Sequence, residues 1–217
     1  MSYRLAIFDF DGTLADSYPW FLRVVNEAAD VYRFQRIEGE MVEALRGHDA
    51  RHVIAHLRLP PWKVALVARW MRKRMARDIA HISLFGGVGE MLQRLSAAGV
   101  ALAVVSSNSA GNVRQVLGPA NAALIAHYGC GASLFGKGPK LRRVLRDSGV
   151  PAGAAIAIGD EVRDLHAARA EGIAFGAVAW GYTRPEALAA LAPEELFTRM
   201  DEIAERLAGT PARAPAA

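Results

Sequence analysis

The segment AIFDFDGTLADS, Ala6 to Ser17, constrains this chain more tightly than any other. An apolar run, Leu5–Phe10, ends in two aspartates separated by one residue and followed by Gly-Thr. A buried strand excludes carboxylates, because each desolvated charge needs a partner or a metal. No cation stands beside these two in sequence, so the strand must deliver them to a rim where something else neutralises the charge. Comparable apolar runs recur at Ala101–Ser106, Ala154–Asp160 and Ile173–Trp180, with a weaker one at Ala122–Ala126. None alternates with polar residues, which marks strands covered on both faces. Helical patterns lie between them. Val88–Ala98 stops at Gly99, Lys140–Ser148 follows Pro139 and stops at Gly149, and Val162–Glu171 stops at Gly172. This alternation predicts an α/β fold with a Rossmann-like open parallel sheet and right-handed crossovers.

Residues 16–83 break the alternation. They are helical in pattern, contain no strand signal, and turn at Pro60-Pro61. A long helical stretch directly after the first strand reads as an inserted cap domain, leaving residues 1–15 and 84–217 as the core. The Pro-rich end, 209–217, reads as a disordered tail. The net charge of +4 resides in the helical segment, which carries 12 Lys/Arg against 8 Asp/Glu. That balance suits a small anionic substrate, while its one dense run, Arg69–Arg77, reads as a solvated helix face rather than a nucleic-acid stripe. No apolar run reaches the length of a membrane span, and no secretory leader pattern opens the chain. With a single cysteine, Cys130, read as a small apolar turn residue, the expected compartment is the cytoplasm.

In open α/β sheets ligands bind beyond the carboxyl ends of the strands. The residues at those ends are Asp9 and Asp11; Ser106, Ser107 and Asn108; and Asp160 and Glu161, with Asp164 one helical turn further on. Lys137 lies in a Gly-rich loop ahead of a helix. Carboxylates, hydroxyls and a lysine on one rim are the donors for a hard cation and a phosphate. Mg²⁺ takes oxygen ligands and is usually completed by substrate phosphate.

These residues resemble the haloacid dehalogenase superfamily, in its phosphatase branch with a helical cap after the first strand, similar to phosphoglycolate phosphatases. The resemblance runs through DFDGTLADS, LFGGVGEML, LAVVSSNS, FGKGPKL and IAIGDEVRDLHAARAEGI in the family's order. It implies a Mg²⁺-dependent phosphatase acting on a small phosphate monoester through an aspartyl-phosphate, as a monomer or homodimer. Asp9 would be the nucleophile, and Asp11 the general acid and then base. The metal would be held by the Asp9 side chain, the Asp11 carbonyl and Asp160, with Asp164 orienting a metal water or a neighbouring group. Ser106 would bind the phosphoryl group, with Ser107 and Asn108 able to share that role. Lys137 would neutralise the phosphate, with Lys140 as its competitor. Glu161 is an extra carboxylate, read as facing solvent or a metal water. A phosphomutase and a non-catalytic binding protein on the same fold are the alternatives; a dehalogenase has no use for Asp11. His48, His52 and His56 recur every four residues and read as a plain helix face, with metal ligation the competing reading. Trp20, Trp62 and Trp70 read as core.

Overall fold

A computed structural model describes residues 3–46, 50–131 and 136–208. The expected tail, 209–217, and His48 lie outside the described residues. Six parallel strands form one sheet: β1 (Leu5–Phe8), β4 (Ala101–Val105), β5 (His127–Gly129), β6 (Ala155–Gly159), β7 (Ala174–Val178) and β8 (Glu195–Phe197). Their order across the sheet is β5-β4-β1-β6-β7-β8. β1 is central, with Ile7 in register with Ala103 on one side and Ala157 on the other. Successive strands run outward from β1 in both directions, so a crevice opens at its carboxyl end.

The lack of alternation in the strand sequences has a direct cause. Ala6, Phe8, Leu102, Val104, Ile156 and Ile158 enter one apolar cluster, with α5 (Val88–Ala97), α6 (Ala110–Leu124) and α10 (Met200–Leu207). Leu5, Ile7, Ala103, Val105, Ala155 and Ala157 enter a second, on the opposite face, with α7 (Gly138–Ser148) and α8 (Val162–Ala170). Both sets are buried, so both must be apolar.

Two expectations need correction, and one strand was not expected. The weak strand at Ala122–Ala126 is the end of α6 and the residues after it, and β5 begins only at His127. Ser109 caps α6 by accepting a bond from the Asn112 amide at 3.1 Å, and the Ala-rich sequence carries the helix past a kink at Gly118 and Pro119. β8, a three-residue edge strand with one fully buried residue, Phe197, is too short to leave an apolar run in the sequence. β1, read as ending at Phe10, ends at Phe8, although the Asp9 amide still bonds the Ile158 carbonyl at 2.8 Å.

Between the short antiparallel strands β2 (Ala15–Asp16) and β3 (Ser83–Leu84) the chain is helical: α1 (Tyr18–Tyr32), α2 (Glu40–Leu45), α3 (Ala50–His56), α4 (Pro61–Asp78) and one 3₁₀ turn (Ile79–His81). This segment has its own buried cluster, built from Val25, Ala28, Ile37, Leu45, Leu57, Leu59 and Val67. Trp20 and Trp70 pack against buried clusters as expected, but Trp62 does not: it is 69% exposed. It follows Pro61 on the first turn of α4, where its ring reaches the Lys63 ammonium, 5.2 Å away. A short helix, α9 (Pro185–Ala189), follows β7. Among the described residues no helix is long and apolar enough to cross a membrane.

Candidate active site

Asp9 leaves the end of β1, Asp160 the end of β6, and Asp164 the first turn of α8. Their carboxylates converge, with one oxygen from each lying within 4.8 Å of the others, and all three residues are buried. Lys137, at the amino end of α7, places its ammonium 2.7 Å from Asp9 Oδ2 and 2.7 Å from Asp164 Oδ1. Pro139, at the start of α7, fixes that entry turn. Lys140 goes elsewhere: its ammonium bonds the carbonyls of Ser106, at 2.7 Å, and Gly131, tying two rim loops together.

Asp160 is completely buried and held on both oxygens. Thr13 Oγ1 donates to Oδ1 at 2.7 Å, and the Tyr182 amide donates to Oδ2 at 2.8 Å. The backbone crowds this carboxylate. A Cβ on Gly12 would stand 2.3 Å from Asp160 Oδ2, and one on Gly181 2.1 Å from Asp160 Cβ. Gly12 also has φ +78°, a conformation that glycine adopts without penalty. The DGT turn therefore reverses the chain out of the sheet and leaves room for a carboxylate from another strand. Sequence reasoning missed Thr13, Gly181 and Tyr182. Thr13 stood inside the motif, but its partner 147 residues away did not show.

Burial dominates the electrostatics. It raises Asp164 to about 7, with repulsion from Asp9 and Glu161 adding to it and Lys137 only partly opposing it. It raises Asp160 well above the carboxylate range, with Asp9 and Glu161 pushing the same way. For Lys137 burial acts downward but is outweighed by Asp164 and Asp9, which keep the ammonium charged. One lysine cannot neutralise three clustered acids, and Asp164 Oδ2 has no hydrogen-bond donor among the described residues. A compact set of carboxylate oxygens with an unmet negative charge fits a hard divalent cation.

Asp11 takes no part in that cluster. The residue lines a cavity of about 410 Å³, and burial, then repulsion from Asp9, raise its carboxyl to about 7. Asp11 Oδ1 has no hydrogen-bond partner among the described residues. Ser17 and Tyr182 share a hydroxyl–hydroxyl bond of 2.9 Å beside it.

The remaining rim residues differ in their freedom. Ser106 is buried, and its Oγ accepts from the Asn108 amide at 3.0 Å. Ser107 is exposed and lines the cavity. The Asn108 side chain is taken up locally, its amide nitrogen 2.9 Å from Met75 Sδ and its oxygen accepting from Ser109 and Asn112. Glu161 does not point freely to solvent: Arg163 pairs with it at 2.5 Å on the cavity wall. Of the spaced histidines, His56 contacts Met41 Sδ at 3.1 Å, and no histidine joins a ligand cluster among the described residues.

Fold and site together define an α/β protein with an acidic, lysine-clamped centre at its strand ends. Residues 6–178 match the haloacid dehalogenase-like hydrolase family, and the chain belongs to it. It is 30% identical over 192 residues to a phosphoglycolate phosphatase of Synechococcus elongatus, covering 88% of this chain and 91% of that protein. Among solved structures, CbbY from Rhodobacter sphaeroides, in complex with phosphate, aligns with a TM-score of 0.70 and 26% identity over 94% of this chain and 96% of that one. A haloacid dehalogenase-like hydrolase from Streptococcus pneumoniae shares the fold, with a TM-score of 0.78 at 19% identity over 93% and 96% of the two chains. The chain is a phosphoglycolate phosphatase-like hydrolase of phosphate monoesters.

Proposed function

We propose that this protein hydrolyses its phosphate monoester in two displacements at phosphorus, with Asp9 as nucleophile and a divalent cation, Mg²⁺ by its preference for oxygen, at the aspartate cluster. The observation that carries the reading is the convergence of Asp9, Asp160 and Asp164 on one point, with Lys137 2.7 Å from two of them. Asp9, Asp160 and the Asp11 carbonyl would hold the ion. Asp164 shares the cluster and the lysine, so it either joins them or orients a bound water. When bound, the ion supplies positive charge that offsets the acids and the developing charge on phosphorus.

The chain's own groups have separable tasks. An Asp9 carboxylate oxygen bonds to phosphorus as the ester P–O bond breaks. Asp11, on the cavity side, gives its proton to the departing oxygen, and its raised affinity for protons suits that role. Asp11 then takes a proton from water, whose oxygen attacks phosphorus and breaks the Asp9–phosphoryl bond. Atoms balance as ester plus water giving alcohol plus phosphate. Lys137 fixes Asp9 and stabilises phosphoryl oxygens, as does the Ser106 hydroxyl. Residues 16–83 act as a cap, entering and leaving through the two-residue ladder Ala15↔Leu84 and Asp16↔Ser83.

The test is phosphate release from a panel of esters, with and without Mg²⁺, for the wild type and Asp9→Asn. Release that needs both the metal and Asp9 is expected. Release that survives either loss overturns the reading.

A further inference from the structure

The geometry points to an apolar alcohol: the cavity beside Asp11 takes the alkyl or aryl body of the phosphate ester rather than a second anion. This deepens the phosphatase reading and rests on it. The cavity, about 410 Å³, falls within the ~300–1,000 Å³ of small-molecule sites. It borders the site through Asp11, Ser107 and Glu161, which form part of its lining. From there it runs among α1, α3 and α4 along Phe21, Val25, Ile54, Val67 and Met71. A glycolyl group, two carbons ending in a carboxylate, would leave most of that space unfilled. It would also set its charge against hydrocarbon, where desolvation opposes binding.

Among the described residues, two of the three lining cations, Arg46 and Arg163, are already committed. Arg46 donates to the Gly181 carbonyl at 2.7 Å and the Tyr182 carbonyl at 3.2 Å, pairs with Glu43 at 3.3 Å, and stacks 5.2 Å from the Tyr18 ring centre. Arg163 is paired with Glu161; Arg72 lines the cavity from an exposed position on α4, where solvent screens its charge. Asp11 and Glu161 add acidity at the chemical end. Other cations of residues 16–83 are paired outside the cavity. Arg36 pairs with Asp30 and Glu38, and Arg74 with Glu27 and Asp78.

The experiment compares kcat/KM for ethyl, n-hexyl and 2-phenylethyl phosphate with that for 2-phosphoglycolate, using the full chain with Mg²⁺. The alkyl leaving groups have closely matched basicity, so differences report binding of the body. At least a tenfold rise from ethyl to hexyl is expected, since a single methylene in a hydrophobic pocket discriminates by about tenfold or more, with 2-phosphoglycolate below hexyl. Ala68→Phe, narrowing the cavity from α4, should lower the hexyl-to-ethyl ratio about fivefold or more. Inhibition of the wild type by n-hexylphosphonate should be stronger than by phosphonoacetate, a check that needs no folded variant. A flat alkyl series with 2-phosphoglycolate preferred overturns the inference and leaves the phosphatase standing. No release from any ester overturns the phosphatase reading beneath it.

Discussion

Thr13→Val removes one hydroxyl and changes little else, so it isolates how Asp160 is held. Thr13 and Asp160 are both fully buried, and the bond between them is 2.7 Å long. A buried acceptor left without its donor bears its desolvation cost, about 1–3 kcal/mol. Valine keeps the shape, so no cavity term is added. Asp160 retains the Tyr182 amide at 2.8 Å, which prevents complete loss of orientation. The expected result in metal-free protein is destabilisation of about 2 kcal/mol by urea titration. Mg²⁺ affinity by calorimetry should weaken about 10–100-fold, the usual effect of losing a partner that orients a ligand. Thr13→Ser should recover most of both. A loss under about 0.5 kcal/mol with unchanged Mg²⁺ affinity would refute the reasoning, because Asp160 would then be fixed without Thr13.

Gly181→Ala should lower thermal stability and Mg²⁺ affinity together, because its Cβ would stand 2.1 Å from Asp160 Cβ; retention of both properties shows that the loop yields freely. Lys137→Met removes the cation shared by Asp9 and Asp164 and should lower kcat about 100-fold or more, as loss of a preorganised charge does; a loss under tenfold contradicts its role. At Asp78 burial pushes the carboxyl up but is outweighed by the Trp20 hydrogen bond and by Arg74 and Arg23, so its pKa is lowered in the folded state. Its stabilising contribution is therefore present above the unfolded value of about 3.9 and lost as pH falls through the folded value. Asp78→Asn should flatten the acid limb of the stability curve, and an unchanged limb refutes the assignment.

The sheet was legible because burial on both faces writes itself as uninterrupted apolar runs, as in LAIF and AIAIG. Its edge was not: β8 buries only Phe197 completely and carries no run to read. The acids were legible as well, since a carboxylate at the end of an apolar strand is costly unless a cation meets it. Their supports were not. Thr13, Gly181 and Tyr182 act on Asp160 through contacts that only folding brings together, and glycine at a close approach looks like any loop glycine. Lys137 and Lys140 could not be separated by composition. Their distances separate them, one ammonium facing two carboxylates and the other facing two carbonyls. Trp62 misled for a related reason: a large apolar residue beside a helix start carries no sign of which side the helix buries.

The central claim is that Asp9 carries the phosphoryl group between the two displacements. Rapid acid quench during the first turnover, followed by peptide mass mapping, tests it directly. The account predicts one phosphoryl group on the peptide containing Asp9, formed and lost at rates that sustain turnover, and absent from Asp9→Asn. Phosphate appearing in the first turnover with no protein-bound phosphoryl group, or the label resting on another residue, would contradict it.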